Sequence, residues 1–492
     1  MSQEKAAEPK SGTAVKVLIS ILVGPLAFFI VQSINFPGLN PAAHFALSSF
    51  AWVLAWWIAQ PIPWAATGLL PLVLFPLGGA MDFKTTMALY GQPVLTFLLG
   101  VMLFGHAFQK HGLAQRMAIT LLSIRGVATS GQRLLVAVMI VSAVVSAFID
   151  DAASVAIMIP IALAIAKFAG DSYSNTLGEK ISTPKMTTAM CLGVLYGATA
   201  GGMATPAGAP FNPLTISLLE QFTDYRISFV QWTTTGVFLA VGSLIVYFLG
   251  LKFMSPPEVK SISGAAEYFT SEKKKLGPMS RGEINVLIVF IIMVVLWFLP
   301  AFVKIKFLDI WYVPPLAAIL LFLLPTDTSK GETTLNAKDF QSGVLWNILF
   351  LVVSGTAIAA GLTKLGMTEW LEGVITGGMT AGLLPWFAGI MTPLLSHATS
   401  GTATTALVSS IMFPIADNLG YNPTILARII AGTALAVSLP WAGAAAGTCF
   451  SSGAITFGNM FKIGIVVTIF TMLVVVVLSM LLVPVLGAFS VV

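Results

Sequence analysis

Residues 131–169 read GQRLLVAVMIVSAVVSAFIDDAASVAIMIPIALAIAKFA, an apolar stretch broken near its middle by Ile149-Asp150-Asp151-Ala152. A helix that crosses a bilayer needs about 20 apolar residues. This stretch is far longer than that, and it places two carboxylates inside the apolar run. Backbone that leaves the helix at membrane depth survives only where protein or a water-filled cavity satisfies it. The stretch is therefore predicted to enter and return as a re-entrant hairpin tipped at Asp150-Asp151. Residues 377–416, GGMTAGLLPWFAGIMTPLLSHATSGTATTALVSSIMFPIA, break in the same manner at Thr399-Ser400-Gly401-Thr402. A third stretch, 424–460, breaks at Ser438-Leu439-Pro440-Trp441-Ala442-Gly443.

The surrounding chain fits a bilayer. Of its 492 residues, 57% are apolar and 9% charged, where a soluble domain carries roughly 25% charged residues. The mean hydropathy is +0.91. Uninterrupted runs near 14–34, 44–60, 62–80, 88–108, 186–204, 229–254, 283–303, 307–325, 343–362 and 461–489 are each candidate spans. The net charge of +5 is spread over loops and forms no Lys/Arg face, which excludes a nucleic-acid binder. Cys191 and Cys449 lie in apolar surroundings, so neither a disulfide framework nor a thiolate metal cage is expected. No phosphate loop, metal-ligand spacing or nucleophile-base-acid set stands out, and no cofactor is expected.

The polar tail 1–13 precedes a run too long for a signal-peptide core and lacking a small-residue cleavage site, so 14–34 is read as the first span. Lys5, Lys10 and Lys16 place the tail in the cytoplasm. The loop 252–282, with Lys252, Lys260, Lys273, Lys274, Lys275 and Arg281, falls on the same side by the same rule. Trp56-Trp57, Trp64, Trp311 and Trp346 lie near span ends and read as interfacial anchors.

The two halves of the chain echo each other. Phe97-Leu98-Leu99-Gly100 leads to Gln109-Lys110-His111-Gly112-Leu113, and Leu351-Val352-Val353-Ser354-Gly355 leads to Thr363-Lys364-Leu365-Gly366-Met367. The break at Asp150-Asp151 matches that at Ser400-Gly401. Chance alignment of Gly-Leu and Ala-Leu strings is the bland alternative, but lysines and interruptions line up together. Paired interrupted segments point to a transporter's midplane site between inverted-topology repeats. The chain thus divides into a tail (1–13), N-terminal helices (14–87), a first repeat (88–251), a loop (252–282), further helices (283–342), a second repeat (343–460) and a C-terminal helix (461–492). The first repeat holds the hairpin at about 131–169 and a broken helix at about 186–215; the second holds a hairpin at about 377–416 and a broken helix at about 424–455. The fold class is an all-α polytopic membrane protein of about 11 transmembrane helices plus two re-entrant hairpins.

At Thr402-Ala403-Thr404-Thr405-Ala406, Gly355-Thr356-Ala357 through Gly366, and Gly201-Gly202-Met203-Ala204-Thr205, the chain resembles the divalent anion/sodium symporter family. These are bacterial dicarboxylate transporters related to citrate carriers and plastid 2-oxoglutarate/malate exchangers. The resemblance covers nearly the whole chain. It implies a homodimer in the bacterial inner membrane, each protomer with a scaffold domain and a transport domain that moves as an elevator. On the boundaries above, 14–87, 283–342 and 461–492 would be scaffold. The resemblance further implies hairpins tipped by Ser-Asn-Thr and broken helices carrying Thr-Pro, which bind substrate carboxylates and sodium.

This chain departs from that pattern. Its first tip aligns as Asp150-Asp151-Ala152, and its second reads Ser400-Gly401-Thr402 without the Asn. The first Thr-Pro becomes Ala209-Pro210 and the second Gly443-Ala444. A literal Ser174-Asn175-Thr176 falls in what reads as a polar loop and is taken as a decoy. These changes keep carriage of C4–C5 dicarboxylates (malate, succinate, fumarate, 2-oxoglutarate) as the leading expectation. They point to sodium-independent exchange, with sodium- or proton-coupled di- or tricarboxylate symport as the alternative. Sodium would sit at the hairpin tips only under that alternative.

The chemistry of such a site follows from cost. One charge at the bilayer centre costs from roughly 2.5 to more than 10 kcal/mol. Helix N-termini each offer about half a positive charge and unpaired N–H donors. Together with the positions that the resemblance aligns to the family's motifs, the expected substrate-binding set is Asp151 and Ala152, Thr205, Ala209, Pro210 and Asn212, Ser400, Gly401 and Thr402, and Gly443 and Ala444. Helix packing alone also enriches Ser, Thr and Gly, which is the competing reading. Asp150 and Asp151 cannot both face an anion ionised. One is protonated, or one pairs with a cation such as His397, or one caps a hairpin helix. His397 can equally serve a backbone carbonyl alone. Lys110 and Lys364 are expected to snorkel, and Arg428 either caps or faces a cavity. An intramembrane aspartyl enzyme is disfavoured, because such chemistry draws its carboxylates from separate segments. A channel is disfavoured because paired hairpins suit alternating access.

Overall fold

The computed structural model describes residues 11–124, 129–179, 181–303, 309–367, 370, 380–398, 400–436 and 439–486. It is helical apart from a small antiparallel ribbon pairing Pro325–Asp327 with Glu332–Thr333. Eight described helices are long and apolar enough to cross a bilayer: Lys16–Ser33, Pro41–Ala59, Phe83–Lys110, Asp151–Leu177, Phe229–Met254, Arg281–Ala301, Trp346–Lys364 and Phe457–Leu486. Shorter helices fill most of the interrupted stretches. The chain divides into two compact units.

The first unit comprises Met1–Gln92 and Trp346–Gly378. Ser11–Ser33 lies along Pro41–Ala59, with Gly24 leaving room for the indoles of Trp52 and Trp56. Asn40 caps the second helix through the Ala43 N–H (2.8 Å) and donates its amide to the Leu365 carbonyl (2.6 Å). The sequence boundaries assign Trp346–Lys364 to the second repeat. The structure groups it with the N-terminal helices, where Ser354 meets Gly68 and Gly361 meets Phe75.

The second unit comprises Pro93–Leu345 and Met379–Val492. Gly131–Ser146 and Asp151–Leu177 form a first hairpin around the turn 147–150. Pro184–Ala204 and Phe211–Phe222 form a first broken pair around 205–210. Leu384–Ala398 and Gly401–Asn418 form the second hairpin, and Pro423–Leu435 and Ala444–Ser451 the second broken pair. Pro184–Ala204 is almost wholly buried. Its glycines recur every four residues on one face, and there the helix touches Gly131–Ser146 backbone to backbone. A Cβ on Gly197 or Gly201 would collide with the Met139 or Ala143 carbonyl.

The second halves of the broken pairs are exchanged. Phe211–Phe222 leaves the first hairpin and packs against Gly401–Asn418 and Pro423–Leu435. Ala444–Ser451 correspondingly packs against Asp151–Leu177 and Pro184–Ala204. Each hairpin is thus closed by a helix from the other half of the chain.

Several side chains sit otherwise than the sequence suggests. Trp57 and Trp311 are buried, the latter edge-on to Phe97 with ring centroids 5.6 Å apart, so neither anchors an interface. Ser174-Asn175-Thr176 lies within the helix Asp151–Leu177, close to its C-terminus. Lys364 is exposed, but Lys110 Nζ lies 2.7 Å from Asp339 Oδ2 and 3.0 Å from the Thr334 carbonyl. A carboxylate in reach outcompetes the interface.

Candidate functional site

The four interruptions converge. At the first hairpin tip, Asp150 is the N-cap of Asp151–Leu177, its Oδ1 accepting from the Ala152 and Ala153 N–H groups at 3.1 and 3.4 Å. The tip is tied to the first break through Thr205, whose hydroxyl donates to the Ala147 carbonyl and accepts from the Ala207 N–H at 3.2 Å. Asn212 stabilises the same break by donating to the Gly202 and Thr205 carbonyls, both at 2.7 Å. Those carbonyls lie at the C-terminal end of Pro184–Ala204, where helical partners run out, and the Thr205 carbonyl also accepts from the Gly208 N–H at 3.2 Å. The Asn212 Oδ1 is buried with no hydrogen-bond partner among the described residues.

The second hairpin tip reaches this break from the other side. Ser400 is the N-cap of Gly401–Asn418, its hydroxyl accepting from the Ala403 N–H at 3.2 Å. A Cβ on Gly401 would press on the Phe211 ring at 2.8 Å and stand 3.3 Å from the Ala434 carbonyl, so a larger residue would have to displace the ring. Met203 and Ala209 of the first break form one apolar cluster with Leu435 and Ala436 of the second, flanked by Phe211. The Trp441 indole donates to the His397 carbonyl at 3.0 Å, joining the second break to the second hairpin.

Four helix N-termini therefore belong to one region, and their caps differ. Asp150 caps one with a carboxylate and Ser400 caps another with a hydroxyl. Phe211–Phe222, entered through Pro210, and Ala444–Ser451, entered through Gly443, have no side-chain cap. At Phe211–Phe222 the Asn212 N–H donates to the Ala209 carbonyl at 3.2 Å and Pro213 has no N–H, so that end offers the Phe211 N–H and the positive pole of the helix dipole. The first-turn N–H groups of Ala444–Ser451 have no helical partner and can meet an acceptor. Thr205, Ala209, Pro210, Asn212, Gly401 and Thr402 are buried. Asp150, Asp151, Ala152 and Ser400 are half-buried, and Gly443 and Ala444 are exposed. A Cβ on Gly443 would meet nothing within 4 Å.

The structure gives Asp150 and His397 separate partners. His397 Nδ1 lies 2.7 Å from the Pro393 carbonyl, a contact in which the ring nitrogen must donate. Among the described residues no ion pair joins it to Asp150. The sequence breaks at Thr399 and Ser438 fall on positions outside the described residues. Sequence reasoning missed Phe211 and gave Trp441 no role in the site. Neither carries a polar signal, and their positions beside Pro210 and Gly443 are the only hint.

A family model described as the sodium:sulfate symporter transmembrane region matches residues 13–489. The chain belongs to this family. Among its relatives is the sodium-dependent dicarboxylate transporter SdcS of Staphylococcus saprophyticus, 28% identical over 482 residues, covering 95% of this chain and 91% of the relative. SdcS of Staphylococcus aureus strain USA300 is also 28% identical, with the same coverage. Among solved structures, the YdaH transporter of Alcanivorax borkumensis aligns over 96% of this chain and 98% of its own, with a TM-score of 0.53 and 13% identity. That likeness concerns the fold alone. As a member of the sodium:sulfate symporter family, the chain is a multi-pass membrane transporter and not an enzyme.

Proposed function

We propose that this transporter carries C4–C5 dicarboxylates across a bacterial inner membrane, and that it does so by sodium-independent exchange. The observation that carries this reading is the pair of helix N-termini, at Pro210 and Gly443, left without side-chain caps beside two tips that cap themselves. A dianion is favoured by two such positive helix ends, and fixed backbone dipoles serve without adding charge. Asp151, Ala152, Thr205, Ala209, Pro210, Asn212, Ser400, Gly401, Thr402, Gly443 and Ala444 form the proposed substrate shell. Asp150 then acts chiefly as a cap, and His397 stands beside the second tip. The named relatives carry dicarboxylates, which supports the substrate class. We further take the N-terminus to be cytoplasmic, the protein to be a homodimer, and the second unit to contain the moving elevator.

Coupled symport is the second reading, favoured by the sodium dependence of those relatives. Counterflow separates the two. Proteoliposomes preloaded with malate, 2-oxoglutarate or nothing are given labelled succinate with and without a sodium gradient. Exchange requires the preload and ignores sodium. Uptake into empty vesicles driven by sodium would replace exchange with symport, and no uptake of any dicarboxylate would remove the substrate class.

A further inference from the structure

Arg428 lies within Pro423–Leu435 and is 3% exposed. Its guanidinium carbon stands 3.7 Å from the ring centroid of Trp232, itself 1% exposed. The group has five N–H donors and stays protonated in proteins. Its described hydrogen bond is a long one, Nη2 to the Gln231 carbonyl at 3.4 Å. Among the described residues no carboxylate forms an ion pair with it. A buried cation without a counter-charge is costly, and stacking on an aromatic face recovers only part of that cost. A second donor is orphaned on the same stack: Trp232 Nε1 is buried with no hydrogen-bond partner among the described residues. Because the indole lies against the guanidinium, its N–H and the unused guanidinium N–H groups can reach one acceptor at the edge of the stack. Arg428 precedes Leu435, at the second break, by a helical distance of roughly 10 Å, so this spot is not the dicarboxylate shell.

We propose that the Arg428–Trp232 pair holds a small inorganic anion of halide size. The burial of both side chains favours such an ion, because a halide accepts N–H donors from one side and needs no donors or acceptors of its own satisfied. The anion neutralises the guanidinium and joins the helix Phe229–Met254 to the first half of the second broken pair.

The test uses the full-length purified transporter in gluconate buffer without dicarboxylate. Chloride replaces gluconate at constant sodium while thermal unfolding is followed. The expected result is a saturable rise of several degrees in Tm. Arg428→Gln should abolish the saturable response. Trp232→Phe keeps the stack but removes the N–H, and should move the chloride midpoint at least tenfold higher. No saturable rise in the wild-type protein overturns the proposal. So does an unmoved midpoint in Trp232→Phe, a result that decides the matter even if Arg428→Gln does not fold.

Discussion

Asp339 shows what one carboxylate does at the edge of the membrane-spanning part. It lies in the short helix Ala337–Ser342, accepts from Lys110 Nζ at 2.7 Å and from the Asn336 N–H at 2.7 Å, and has His106 Nε2 at 3.1 Å. Burial pushes its carboxyl up, but the hydrogen bonds from Lys110, Asn336 and His106 outweigh that and hold it below the usual range. A depressed native value means stabilisation that is complete above the unfolded value of about 3.9 and lost as pH falls through the native one. The wild-type Tm is therefore expected to fall between about pH 5 and about pH 3, and to fall more steeply than that of Asp339→Asn. At neutral pH the substitution should cost about 2 kcal/mol, limited because the Lys110 side chain remains 30% exposed to water. Parallel melting curves with equal pH slopes would show that the pairing contributes nothing. Lys110 also marks where sequence reasoning stops. A lysine at the end of an apolar run is legible, but a partner more than two hundred positions away is not.

At the scale of elements, the helix Pro184–Ala204 depends on two features. Its N-terminus has no side-chain cap of its own and is closed by Glu258, whose two carboxylate oxygens accept from the Lys185 and Met186 N–H groups at 2.8 and 2.7 Å. The loop carrying Glu258 is no idle linker. Its Val259 carbonyl accepts from the Gly131 N–H at 3.0 Å, and Tyr268 stacks on Phe168 with centroids 4.0 Å apart. Glu258→Ala should cost about 1 kcal/mol, read as a lowered Tm, because it removes a cap and a favourable dipole contact together. Gly197→Val meets the immovable Met139 carbonyl and should cost about 3 kcal/mol or more, seen as lost membrane expression. A Gly197→Val protein with wild-type Tm would refute that close approach. The apolar runs and the all-α polytopic class are legible in the sequence, because these are local patterns. Glu258 is not, since a helix capped by a distant loop leaves no trace near the helix. Nor is the grouping of Trp346–Lys364 with the N-terminal helices, because any small-residue face can pack on several others.

For the transporter taken whole, the exchange of Phe211–Phe222 and Ala444–Ser451 between hairpins matters most. A hairpin and its own broken helix would present two helix ends on one side. The exchange brings ends from both halves of the chain to a shared region, and on the proposed reading their positive poles receive the two carboxylates of one small solute. On that proposal, binding requires the N–H groups beyond Gly443 to stay vacant until the substrate arrives, which a capping side chain would prevent. Gly443 has an extended backbone (φ −171°, ψ 160°) that any residue adopts, and there is open space where its Cβ would stand. Gly443→Asp should therefore fold and cap Ala444–Ser451, raising stability by a few tenths of a kcal/mol. Its carboxylate would occupy the donors meant for the substrate and repel the dianion as well. The expected phenotype is a Tm at or slightly above wild type together with dicarboxylate counterflow reduced at least a hundredfold. Gly443→Ala, which adds bulk without an acceptor, should retain much of the activity. Normal counterflow by a folded Gly443→Asp protein would mean that this helix end does not receive the solute.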